Sequence, residues 1–159
     1  MYHVGDRVVH PLHGAGTISA ITQRKTDGKL RQYYALTLVS GSLQILLPCN
    51  TCEAIGVRPV RSAAELEALV ASFPTVRADE PVGWNRRYRE NMLRIRTGDP
   101  AQVAQVVRGL ALRGREHQLS AGEQRMLTSA KKILASELAL VLGLSLREAE
   151  GLLTPLGEP

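Results

Sequence analysis

Residues 17–39, TISAITQRKTDGKLRQYYALTLV, decide how the first part of the chain folds. From Thr17 to Thr22 apolar and polar residues alternate, the period of a half-buried strand. Thr26, Asp27, Gly28 and Lys29 form a hairpin connection, because Asp-Gly accepts the positive φ of tight turns. Tyr33 to Val39, rich in β-branched and aromatic residues, reads as the returning strand. Toward the amino end, Val8 and Val9 form a strand closed by His10 and Pro11, and Gly14 and Gly16 signal a sharp turn between strands. Toward the carboxyl end, Ser40 and Gly41 turn the chain into Leu43–Leu47, which Pro48 stops, and Ile55 to Arg58 forms a short closing strand. Five short strands joined by tight turns fit a small bent sheet or an SH3-like barrel.

From Ser62 the pattern becomes helical. Four capping boxes punctuate it: Ser62 with Glu65, Asp99 with Gln102, Ser120 with Glu123, and Ser145 with Glu148. Pro100 occupies a first helical position, where its missing N–H costs nothing. A first helix spans Ala63 to Ser72 and ends before Phe73 and Pro74, and Thr75 to Gly83 reads as a loop. A second runs from Trp84 or Asn85 to Thr97. Val103, Val106, Val107 and Leu110 form the stripe of a third, which ends near Arg113 and Gly114. A fourth, Ala121 to Leu142, uses Met126, Leu127, Ile133, Leu134, Leu138 and Val141. Leu146, Ala149, Leu152 and Leu153 supply a last short one. The expected fold class is therefore α+β in two domains. An all-β module occupies residues 1–60, residues 61–83 form a connecting helix and loop that pack with the later part, and residues 84–159 form a compact helical domain.

The composition narrows the function. Of 159 residues, 44% are hydrophobic and 22% charged, as in soluble globular proteins. No apolar run approaches the ~20 residues that span a bilayer, and no signal peptide opens the chain, so a cytoplasmic protein is expected. A net charge of +5 favours an anionic partner. No nucleophile, base and orienting group can be assembled, and Gly14-Ala15-Gly16 is too little for a nucleotide loop, so an enzyme is not expected. Cys49 and Cys52 form a single C-x-x-C that His10 and His13 would complete to the four ligands zinc takes. Nothing in the sequence brings the two pairs together, and the strand–helix context of a redox site is missing. Packed or loop cysteines, with no metal and no cofactor, are the expectation.

The remaining signal is residues 82–96, VGWNRRYRENMLRIR, which hold the single Trp, five arginines and one glutamate. Such a cluster serves as a cation–π group inside a fold, a protein–protein hot spot, or an apolar wedge flanked by phosphate-binding arginines. At helical spacing Trp84, Arg87, Tyr88 and Asn91 share a face, and Tyr88, Met92 and Ile95 are placed to bury. Trp84 is left to project at the amino end, where unpaired N–H groups attract anions. Trp84, Arg86, Arg87 and Arg89 are the candidate nucleic-acid contacts. Arg108, Arg113, Arg115, Arg125, Lys131 and Lys132 read as solvated faces or helix pairs. No helix aligns polar side chains for base edges, so backbone contacts plus one intruding ring are expected.

The chain resembles the CarD/CdnL-type bacterial transcription factors over nearly its whole length apart from the last dozen or so residues. The likeness rests on Val4, Gly5, Asp6, Val8, Val9, Pro11, His13 and Gly14. It continues through Trp84, Arg86, Arg87, Tyr88, Gly98 and Asp99, then Val106, Val107, Arg108 and Leu110. Leu119 to Glu123 with Arg125, Met126 and Leu127, then Ile133, Leu134, Glu137, Leu138 and Ala139, are its most specific part. This resemblance implies a Tudor-like amino-terminal module, shared with the transcription-repair coupling factor, that docks on the RNA polymerase β subunit. It implies a helical domain that meets promoter DNA at the upstream fork of the bubble, where the Trp wedges into the minor groove and stabilises the open complex. Carried over by position, Trp84 is the wedge, Arg86, Arg87 and Arg89 are backbone contacts, and Arg24 lies on the polymerase-docking surface. Two positions depart from the family: Leu46 stands where a docking residue is often basic, and Gln124 where Lys is common. The C-x-x-C is not part of the family pattern. The expected protein is a monomer, without membrane contact, drawn to the nucleoid through polymerase. The alternative is a polymerase adaptor whose Trp makes no DNA wedge.

Overall fold

Asp27 and Gly28 adopt φ of 54° and 78°, the left-handed pair that a two-residue hairpin turn requires. The computed structural model describes residues 1–41, 43–76 and 83–154. The hairpin joins β2 (Gly14–Thr26) to β3 (Lys29–Leu38), and β1 (Arg7–His10), β4 (Gln44–Pro48) and β5 (Arg58–Pro59) complete an antiparallel sheet ordered β4-β3-β2-β1-β5. No ladder joins β4 to β5 among the described residues, so the sheet is open rather than a closed barrel. The reason is local: β5 has two residues, and Pro59 has no N–H to extend a ladder. Val8, Ile18, Tyr34, Leu36, Leu38, Leu47, Cys52 and Val57 nevertheless gather into one small core beneath it.

Gly14 and Gly16 are not simply a turn. Both lie in β2, opposite His10 and Val8. Gly14 has φ of 88°, and a Cβ there would sit 2.5 Å from Ser136 Oγ. A Cβ on Gly16 would sit 2.5 Å from the Thr37 carbonyl oxygen, so this glycine permits close strand approach. The β2–β3 ladder runs on beyond the partners on either side, to Thr26 and Lys29, as a two-stranded arm.

Among the described residues the helices are α1 (Ala63–Ser72), α2 (Trp84–Arg96), α3 (Pro100–Glu116), α4 (Ala121–Leu142) and α5 (Leu146–Leu152), with a 3-10 turn at Phe73–Thr75. The four expected N-caps all form. Ser62, Ser120 and Ser145 accept from the N–H of Glu65, Glu123 and Glu148, whereas Asp99 accepts from Ala101 rather than Gln102. The reciprocal half of a capping box is present at Ser145 and Glu148. Most of the loop expected after Thr75 lies outside the described residues.

The larger core joins helices to sheet. Leu66, Phe73, Ile95, Val107, Leu110, Ile133, Leu134 and Leu138 pack together with Val9 and Ala15 from the strands. The seam is also polar and paired. Arg58 donates to both carboxylate oxygens of Glu137 at 2.9 and 2.7 Å, and to the Gly98 carbonyl at 2.6 Å. The Arg61 N–H donates to the same carboxylate at 2.8 Å. Glu137 is only 1% exposed, so these bonds are what make its burial tolerable. Ser136 Oγ accepts from the Ala15 N–H at 2.8 Å, and Arg7 donates to the Leu140 carbonyl at 3.2 Å. Residues 133–139 of α4 are thus the strip onto which the sheet is fastened.

Candidate nucleic-acid interface

Trp84 is the first residue of α2, preceded by Gly83 at φ of 98°. The residue is 42% exposed. One face lies on Tyr88, with centroids 5.0 Å apart and planes 18° from parallel. Its Nε1–H donates to Ser120 Oγ at 3.0 Å. A Cβ on Gly122 would stand 3.7 Å from Trp84 Cζ2 and 3.5 Å from the Tyr88 ring, so the aromatic pair rests on the first turn of α4.

The arginines divide. The Arg86 side chain is 73% exposed and pairs with Glu90 at 3.2 Å. An exposed pair of this kind contributes only ~0–1 kcal/mol, so an anion can compete for Arg86. Arg89 is exposed as well. Arg87 departs from its expected place beside them. It is 6% exposed, and its Nε donates to Glu123 Oε2 at 3.4 Å. Helical spacing cannot show this, because the partner that draws Arg87 inward comes from a different helix. Arg113 of α3 approaches the same oxygen at 3.9 Å. Arg86 and Arg89 are therefore surface cations of α2, about 200° and about 140° around the helix from Trp84, and Arg87 is buried on the Trp84 side.

Ser120, Glu123 and Arg113 form the mount of this site, and none was singled out from sequence as functional. A signal existed. Glu123 and Glu137 both fall within the apolar stripe of α4 that contains Met126, Ala130, Ile133 and Leu134, and a carboxylate in such a stripe must find a buried partner.

The polymerase-side candidates lie on the sheet. Arg24 is exposed on the β2–β3 arm directly opposite Arg31, and Lys25, Lys29 and Leu30 are exposed beside them. Leu46 is 38% exposed on β4, whose outer side has no strand partner among the described residues.

The zinc reading finds no geometry. His10 and His13 face each other with ring centroids 4.6 Å apart, and His10 Nδ1 accepts from the N–H groups of Leu12 and His13. Cys49 and Cys52 are free thiols at the Tyr2–Tyr34 end of the smaller core, and burial pushes both above the usual thiol range. No group of three or more potential metal ligands occurs among the described residues. Likewise, no described helix is long and apolar enough to cross a membrane.

A half-exposed Trp at the head of a helix that also carries exposed arginines, on a helical platform fastened to a sheet with an open edge, has the make-up of a macromolecule-binding protein. Residues 2–61 match the CarD-like/TRCF RID domain and residues 69–154 the CarD C-terminal domain. The chain belongs to the CarD family of transcription factors. It is 32% identical over 145 residues to a Bacillus subtilis (strain 168) protein named "Putative transcription factor YdeB", covering 91% of this chain and 95% of that protein.

Proposed function

We propose that the protein is a non-enzymatic transcription regulator that binds the RNA polymerase β subunit and contacts promoter DNA at the upstream fork of the bubble. In this reading residues 1–60 act as a Tudor-like docking module in spite of their open sheet. The unpaired outer side of β4 suits backbone pairing with an extended segment of polymerase, since a free edge offers a ready row of N–H and C=O groups. Leu46 would contribute apolar contact there and Arg24 charge. The helical part presents Trp84 as a wedge, with Arg86 and Arg89 on phosphates and Arg87 holding the helix beneath them. The protein acts as a cytoplasmic, nucleoid-associated monomer that needs no cofactor.

One observation carries the DNA half: Trp84 has one ring face on Tyr88, and the residue as a whole is still 42% exposed, as a side chain that meets a base would need to be. Stacking on an exposed base contributes ~1–3 kcal/mol, which shifts an open/closed equilibrium roughly tenfold without reading sequence. Isolated protein then binds DNA weakly and with strong salt dependence, and tethering to polymerase raises the effective concentration.

Trp84→Ala in a polymerase–promoter opening assay tests the proposal. Open complex should fall about tenfold while polymerase binding holds. A second reading, a polymerase adaptor with a structural Trp, draws on the Ser120 hydrogen bond and the Tyr88 stack. Unchanged opening together with reduced thermal stability would favour it and sink the wedge.

A further inference from the structure

We propose that Ser120, its hydroxyl oriented by Glu123, is a positioning residue that fixes the pose in which the Trp84 ring meets its partner. The inference rests on the DNA-contact reading of Trp84 and adds the device that aims the ring. A serine hydroxyl has one donor and two acceptor sites. All three are used here. The oxygen accepts from Trp84 Nε1–H at 3.0 Å and from the Glu123 N–H at 3.1 Å, and the hydroxyl donates to Glu123 Oε1 at 3.3 Å. The donation to Glu123 aims the proton away from the indole, so the lone pairs face the two N–H groups. Glu123 is itself held, 3% exposed, by the buried Arg87 of the helix that bears Trp84.

Stacking on Tyr88 fixes the plane of the indole but not which edge faces α4, since a half-turn about the Cβ–Cγ bond keeps the plane and exchanges the edges. The Ser120 bond removes this freedom. It turns the edge that holds Nε1 and Cζ2 toward α4, against Gly122, and leaves the carbon-only edge of Cε3 and Cζ3 on the far side. The ring has a single polar atom, and Ser120 occupies it. What remains for a nucleic acid is an apolar face and a C–H edge, which suits a contact that is indifferent to base identity.

Trp84 is the only Trp in the chain, so its indole N–H gives one unambiguous signal in the full-length protein. The test compares Ser120→Thr, which keeps the oxygen, with Ser120→Gly, which lacks it yet is nearly as good an N-cap. Indole N–H hydrogen exchange is measured on protein alone, and promoter opening with polymerase. Ser120→Gly should accelerate exchange about 3–10-fold, the span of one net hydrogen bond, and lower opening by a similar factor. Ser120→Thr should stay within about twofold of the parent in both. Glu123→Gln, whose amide can donate to Ser120 and turn the hydroxyl proton around, should also accelerate exchange, with folding followed by circular dichroism. Exchange in Ser120→Gly equal to the parent would overturn the proposal. So would accelerated exchange with unchanged opening, provided that Trp84→Ala lowers opening. If Trp84→Ala itself leaves opening unchanged, the DNA-contact reading has failed, and the positioning role falls with it whatever the exchange shows.

Discussion

Arg58→Ala should be the most damaging single change at the seam between sheet and helices. It removes both bonds to Glu137, at 2.9 and 2.7 Å, and the 2.6 Å bond to the Gly98 carbonyl. Glu137, 1% exposed, keeps only the Arg61 N–H at 2.8 Å. Removing one partner of a buried pair costs ~3–5 kcal/mol, because the other charge stays buried without compensation. Domains of this size are stable by ~5–15 kcal/mol, and each kcal/mol moves Tm by about 2–4 °C. Equilibrium urea unfolding should therefore show a loss of ~3–5 kcal/mol at constant m, with Tm lower by roughly 6–20 °C. Arg58→Lys should fall between, since an ammonium cannot match the two-pronged geometry. A double replacement, Arg58→Met with Glu137→Met, should recover more than half the loss. A loss below ~1 kcal/mol in Arg58→Ala, or a double variant no better than the single one, would refute the assignment of the pair as a fastening that must be kept or removed whole.

Gly14→Ala should destabilise by ~2–4 kcal/mol in the same urea experiment, since φ of 88° disfavours a side chain and its Cβ would displace the Ser136 hydroxyl that serves Ala15. His10, desolvated by burial and set against His13, titrates at about 4 rather than its ordinary 6.5. The unfolded chain then binds the extra proton between those values, so stability is full above pH 6.5 and declines as pH falls toward 4, by up to ~3 kcal/mol. His10→Asn, which keeps an acceptor for the Leu12 and His13 N–H groups, should flatten that slope in pH-dependent melts. Arg86→Ala and Arg89→Ala should each reduce the salt slope of DNA binding in the polymerase-tethered complex by ~0.9. Arg87→Ala should instead appear chiefly as lost stability, because its partner Glu123 is buried.

Local features were legible in the sequence because their causes are local. Ser62, Asp99, Ser120 and Ser145 each cap the expected helix, and the Asp27–Gly28 turn joins the expected strands. Closure of the sheet was not legible, since it depends on how far β5 can extend, and Pro59 limits that. Arg87 was misplaced for a related reason. Periodicity shows that it shares a face with Trp84, but burial was decided by Glu123, thirty-six positions along the chain. The pairings of Ser136 with Ala15 and Glu137 with Arg58 are likewise long-range, and only the polar residues embedded in the α4 stripe hint at them.

The strip at residues 133–139 also separates two boundaries that are easily confused. Sequence likeness divides the chain between residues 61 and 69, where one family match ends and the next begins. A polypeptide cut there would carry Glu137 into its interior with neither Arg58 nor the Arg61 N–H, and would expose the apolar surface that Val9 and Ala15 now cover. The unit of sequence likeness is then smaller than the unit that these contacts join. Fragments trimmed to the later match alone should be handled as incomplete proteins, and swapping amino-terminal modules between relatives will succeed only when residues 14, 15 and 58 travel with the α4 surface that receives them.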